Sequence, residues 1–95
     1  MRILAYSHRS DETKYFKEFS EKYNVEVVLT NENPTMETAD LAKGFDCISI
    51  ITTIISSELV EKFHKLGVKF ISTRTVGYDH IELKKAKELG VGVGN

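Results

Sequence analysis

Five short runs rich in aliphatic and β-branched residues alternate with four longer segments whose apolar residues recur at helical spacing: Ile3 to Ser7, Val25 to Leu29, Cys47 to Ile51, Val68 to Thr73 and Val91 to Val93 are the short runs. This alternation leaves few folds open. Strands joined through helical segments pair in parallel, and the helices must then cover the faces of one sheet. Such crossovers are right-handed, so successive strands wind to one side until the order reverses. The expected fold is therefore α/β: a flavodoxin-like, doubly wound, five-stranded parallel sheet in the order 2-1-3-4-5, with four helices. Ligands of such sheets sit outside the carboxyl ends of the strands, near the reversal. Here those ends read Ser7-His8-Arg9, Thr52-Thr53-Ile54 and Arg74-Thr75-Val76-Gly77.

Helix punctuation supports the same layout. Asp11 and Glu12 suit a helix N-terminus, and the helix after them should turn Tyr15, Phe16, Phe19 and Tyr23 to the core before Asn24 ends it. Thr35, after Pro34, should cap a second helix carrying Met36, Ala39 and Ala42, which Gly44 closes. Ser56 or Ser57 starts a third, with Leu59, Val60, Phe63 and Leu66 on one side and Gly67 at its end. Asp79 and Glu82 stand three apart like a capping box ahead of Ile81, Leu83, Ala86 and Leu89, and Gly90 closes this fourth helix. Cys47 to Ile51 lacks strict alternation, as a central strand buried on both faces should.

Composition removes several classes of function. With 95 residues the chain is long enough for one domain with a modest core. A net charge of −1 argues against a nucleic-acid partner, which calls for a basic patch. The stretch Lys84-Lys85-Ala86-Lys87 reads as the wet face of a helix, since acidic residues flank it and no aromatic side chains interleave. No stretch is long or apolar enough for a signal-peptide core or a membrane span, so no membrane partner is expected. Cys47 is the single cysteine, which precludes an internal disulfide and suits a reducing, cytoplasmic setting.

Most familiar chemistries also fail on the residues. The first strand-to-helix loop, Ser7-His8-Arg9-Ser10-Asp11, has no glycine for a phosphate cradle. A phospho-acceptor receiver needs an aspartate where Thr52 and Thr53 stand. The tail Gly90-Val91-Gly92-Val93-Gly94 lacks the following helix that a dinucleotide fingerprint requires. His8, His64 and His80 are too scattered for a helical metal site, and none is expected. His64 reads as solvent-facing, His80 as a first-turn residue and Cys47 as core. The turn Arg74 to Gly77 differs. A glycine there lets backbone approach a ligand, and successive N–H groups form a small anion-binding concavity that a carboxylate could fill.

The segments MRILAYSHRSDE, LAKGFDCISI and LGVKFISTRTVGYDHIELKKAKELGVGVGN, with ISTRTVGYDHI the most specific, give the chain its resemblance to the D-isomer-specific 2-hydroxyacid dehydrogenases and, within them, to the D-lactate dehydrogenase branch. The resemblance implies that residues 1–95 are part of a flavodoxin-like substrate-binding domain. The NAD-binding Rossmann domain, with its GxGxxG loop, is absent from this chain. It implies that the amides of Val76 and Gly77 hold the carboxylate of a small 2-oxo or 2-hydroxy acid, with Ser7, Ile51 and Thr75 near the cleft. Ile51 stands where some lactate-specific relatives carry tyrosine, which leaves the substrate side chain open. The family's catalytic arginine, glutamate and histidine match nothing here, so no catalytic residue is expected in this chain and the 95 residues alone should be inactive. Relatives later return C-terminal structure to this domain; without it a homodimer or domain-swapped form is expected. The alternative is a free-standing, non-catalytic module of the same fold that binds a carboxylate or a protein. A gene continuing past Asn95 into a GxGxxG segment favours the enzyme.

Overall fold

A computed structural model of the chain describes residues 1–8, 10–51, 53–74 and 81–94. Its strands are β1 (Arg2–Ala5), β2 (Glu26–Leu29), β3 (Cys47–Ile50), β4 (Phe70–Thr73) and β5 (Gly92–Gly94). They form one sheet in the order β2-β1-β3-β4-β5, every pair parallel, as the alternating pattern required. The α-helices among the described residues are α1 (Thr13–Tyr23), α2 (Ser57–Lys65) and α3 (Leu83–Leu89).

The expected fourth helix is a correction. The segment after Pro34 makes only a 3₁₀ turn, Thr38–Ala42. Thr35 and Thr38 exchange bonds there, the Thr38 N–H donating to Thr35 Oγ1 at 3.1 Å and the Thr35 N–H to Thr38 Oγ1 at 2.9 Å. Thr35 caps this turn as a helix N-cap would, and the Ala39 N–H donates to the Thr35 carbonyl at 2.8 Å. With few residues before Gly44, the unfavourable helix nucleus is not offset by propagation, and the tighter turn wins.

The start of α3 is a second correction, while the capping box itself turns on Asp79 and stays untested. Asp79 lies outside the described residues, and Glu82 precedes the helix without a side-chain capping bond. Ile81 instead forms a parallel bridge with Ile55, and the Glu82 N–H donates to the Ile55 carbonyl at 3.0 Å. Backbone engaged in that bridge is unavailable to a helix, so α3 begins at Leu83. Other boundaries follow their residues. Asn24 ends α1 in the left-handed region at φ 52°, the Ser56 hydroxyl accepts from the Leu59 N–H, and Gly90 closes α3 at φ 75°.

The two faces of the sheet are covered unequally. Leu4, Ile48 and Ile71 are register neighbours on one face and pack with Ala39, Ala42, Val60, Phe63 and Ala86 in a fully apolar cluster. Ile3, Cys47 and Phe70 form the neighbouring row on the other face, where α1 lies. Only Phe16 of the α1 aromatics is buried; Tyr15 is 62% and Tyr23 is 56% exposed. The expectation that all four face the core is overturned for a geometric reason. Positions 15, 19 and 23 form one stripe of the helix and position 16 sits about 100° round from 15, so the sheet cannot bury both. The stripe stacks on itself instead, with Phe19 and Tyr23 ring centres 4.8 Å apart. Between α1 and the sheet lies an open groove of about 760 Å³, with Ile3, Val27, Phe19 and Cys47 among its walls.

The glycines of β5 serve packing. A Cβ at Gly92 would stand 2.6 Å from the Phe70 ring, which lies across the edge strand. Gly92 and Gly94 are thus the floor under an aromatic side chain rather than a phosphate loop.

Candidate functional site at the strand ends

The carboxyl ends of β1, β3 and β4 meet at one rim of the sheet. Ala5 pairs with Ser49. Ser7 and Ile51 therefore lie two residues beyond a paired position on adjacent strands, both half-buried. Ser7 has φ 54°, a left-handed conformation that costs a non-glycine residue about 1 kcal/mol or more. Its surroundings over-determine it. The Ser7 N–H donates to the Glu32 carbonyl at 2.8 Å and its hydroxyl to Asn33 Oδ1 at 2.6 Å. That hydroxyl keeps lone pairs free to accept. The Ile51 carbonyl accepts from Thr73 Oγ1 at 3.2 Å, which joins the ends of β3 and β4. Thr75, Val76 and Gly77, the other residues expected at the cleft, lie outside the described residues, as does His80.

Arg74 closes the rim. Its backbone N–H donates to the Ile50 carbonyl at 2.8 Å, continuing the ladder by one bond. Its guanidinium turns inward: Nε donates to Glu12 at 2.8 Å, Nη1 to Ser49 Oγ at 2.9 Å and Nη2 to the Tyr6 carbonyl at 2.7 Å. A longer Nη2 contact reaches the Ser7 carbonyl at 3.3 Å, and the Phe16 ring lies 5.3 Å from the guanidinium carbon. The side chain is only 13% exposed. Arginine is rarely buried unless paired, and here every nitrogen has a protein acceptor. Sequence reasoning missed this pairing because Glu12 reads as a helix-start residue; the available signal was a lone arginine ending a buried strand.

The remaining candidates fall into place. His64 is exposed, as read. His8 sits beside Ser7 with Nε2 3.0 Å from Thr13 Oγ1, and its Nδ1 is buried with no hydrogen-bond partner among the described residues. Cys47 is buried, and burial, with the Asp46 carboxylate adding to it and a Ser72 backbone hydrogen bond opposing, pushes its thiol up to about 11. Burial, then Asp40, also raises the Tyr6 hydroxyl. The folded chain thus keeps protons that the unfolded chain releases, so the Cys47 contribution to stability is intact below pH 9 and falls as the pH climbs through about 11, and that of Tyr6 is lost at higher pH still. Native Cys47 is expected to react with iodoacetamide at pH 7.5 at least about tenfold more slowly than in urea. Equal rates in a quench-flow alkylation assay would contradict the burial.

Among the described residues no group of three or more His, Cys, Asp or Glu is placed to hold a metal ion, and no helix is long and apolar enough to cross a membrane. The described residues also do not fit a dinucleotide. The β1–α1 loop has no glycine, Gly90 is a helix end, and Gly92 and Gly94 lie under Phe70.

Comparison with known proteins bears on the family and the fold. The family profile described as "D-isomer specific 2-hydroxyacid dehydrogenase, catalytic domain" matches residues 3–95. An aromatic 2-oxoacid reductase of Clostridium sporogenes is 44% identical over 96 aligned positions, covering 100% of this chain and 29% of that protein. A D-2-hydroxyacid dehydrogenase (NAD+) of Lacticaseibacillus paracasei is 36% identical with the same coverage. The apo-structure of D-lactate dehydrogenase from Escherichia coli superposes with a TM-score of 0.93 at 31% identity, covering 98% of this chain and 30% of that one. The chain therefore spans less than a third of the length of these relatives.

Proposed function

Since the chain belongs to the D-isomer specific 2-hydroxyacid dehydrogenase family, matched over residues 3–95, we propose that it is the substrate-binding part of an NAD-dependent enzyme that reduces 2-oxo acids to D-2-hydroxy acids. The observation that carries this reading is the rim where three strand ends are tied together by Arg74, the residue just before Thr75-Val76-Gly77 in the sequence. In the reading, the Val76 and Gly77 amides hold the substrate carboxylate, while Ser7, Ile51 and Thr75 border the cleft. Backbone N–H groups suit that role because they are fixed donors and need no reorganisation when the anion arrives.

A nicotinamide supplies the hydride in such chemistry, and a general acid the proton. Neither is assigned to these residues, whose geometry does not fit a dinucleotide. Their task is to bind and orient the acid at a strand-end crevice, in the cytoplasm, where an unpaired Cys47 stays reduced. Both the aromatic 2-oxoacid reductase and the D-lactate dehydrogenase likenesses point to 2-oxo acids, and Ile51 sets an aliphatic wall to the cleft.

The test is an NADH-oxidation assay with pyruvate, phenylpyruvate and 2-oxoisocaproate, run on the complete gene product containing these residues and on residues 1–95 alone. Turnover to the D-hydroxy acid is expected from the first and none above buffer from the second. An inactive complete protein, or an active 95-residue chain, overturns the reading.

A further inference from the structure

We infer that Arg74 is a positioning residue for 2-oxo-acid binding, acting through the strand ends rather than as the ligand of the carboxylate. The inference rests on the substrate-binding reading above. An exposed arginine at a strand end is ordinarily taken as the cation that meets an anionic substrate. This one is 13% exposed, with Nε, Nη1 and Nη2 each donating to a protein oxygen within 2.9 Å. Its fork is already occupied, so no bidentate face remains to offer a carboxylate.

What the fork holds is the more informative part. Tyr6 and Ser7 belong to the exit of β1, Ser49 to β3, and Glu12 to the 3₁₀ turn Ser10–Glu12 ahead of α1. The Arg74 backbone is bonded to β3 at the same time, through the Ile50 carbonyl. One residue thus fixes the point from which the chain leaves β4, and braces the carbonyl of Ser7, whose left-handed backbone persists only while its neighbours hold it. A site bordered by a strained serine depends on such bracing, because a misplacement of about 1 Å is enough to weaken a bound geometry on the order of a hundredfold. Lysine cannot replace it: a single ammonium has no planar fork with which to reach Glu12, Ser49 and Tyr6 together.

The experiment measures steady-state kinetics of the complete gene product as wild type, Arg74→Gln, Arg74→Lys and Glu12→Gln, with thermal denaturation alongside. The expected result is a KM for the 2-oxo acid raised at least about tenfold in Arg74→Gln and about fivefold in Arg74→Lys, with KM for NADH within about twofold of wild type, the size of effect that loss of a placed hydrogen-bond array produces. Glu12→Gln should move the same constant in the same direction. If Arg74 only stabilises the fold, the variants will lower the melting temperature and leave the KM of the folded fraction unchanged. If it is simply a charge, Arg74→Lys will behave as wild type. Either outcome overturns the positioning role while leaving the dehydrogenase reading in place, and should Arg74→Gln fail to fold, the other two variants decide. A wild-type protein that reduces no 2-oxo acid removes both.

Discussion

Replacing Phe63 with alanine is expected to remove about 3–5 kcal/mol of stability. A domain of this length has about 5–14 kcal/mol in total at ~0.05–0.15 kcal/mol per residue, so the variant should lose a large share of its stability. Phe63 is fully buried on the covered face of the sheet, its ring edge-on to Tyr6 with centres 6.0 Å apart. The cavity left behind would not collapse easily, because the Tyr6 hydroxyl is tied to the Thr38 carbonyl at 2.7 Å and cannot follow. The backbone at position 63 also closes the end of α2, its carbonyl accepting the N–H groups of Leu66 and Val68 at 3.1 and 3.0 Å. Phe70→Ala is the control: that ring is 40% exposed and crosses only the edge strand, so about 1 kcal/mol is expected there. Urea denaturation followed by far-ultraviolet circular dichroism reads both. A Phe63→Ala midpoint close to wild type would mean that the core is not where α2 meets the sheet.

The contrast between Phe63 and the α1 aromatics shows what the chain made legible. Leu59, Val60 and Phe63 share one helical stripe, and a single stripe has a single place to go; the burial of α2 was readable for that reason. Sheet order was readable because right-handed crossovers leave few alternatives once five strands and their connections are recognised. The α1 face was not, since Tyr15, Phe19 and Tyr23 compete with Phe16 for one sheet surface and periodicity cannot say which stripe wins. After Pro34 the Thr35 cap was legible but the α-helix beyond it was not, since a cap marks where a turn starts and cannot say whether the few residues before Gly44 propagate it. At the site, the strand ends could be named from the sequence. The Arg74–Glu12 pair could not, as its members stand 62 residues apart and only the fold brings them to 2.8 Å.

Residues 1–95 on their own are expected to self-associate through the open face of the sheet. The groove between α1 and the strands is walled by Ile3, Val27, Phe19 and Cys47 and rimmed by the exposed Tyr15 ring, while on the opposite face Leu4, Ile48 and Ile71 are buried. Apolar surface of this kind is rarely left in water, and a second copy is the partner always present at the same concentration. The alternative contact is edge to edge, since β2 ends the sheet and Val28 is 37% exposed on it. Two substitutions separate them. Phe19→Glu places a charge in the groove and should weaken association at least about tenfold, equivalent to ~1.4 kcal/mol. Val28→Lys puts the same penalty on the edge strand and should leave groove association intact. Sedimentation velocity from about 5 to 500 μM, a range chosen to bracket micromolar to millimolar dissociation constants, reads the shift from monomer to dimer. A monomer throughout would show that the groove is not adhesive, and a loss of dimer in Val28→Lys alone would move the contact to the edge.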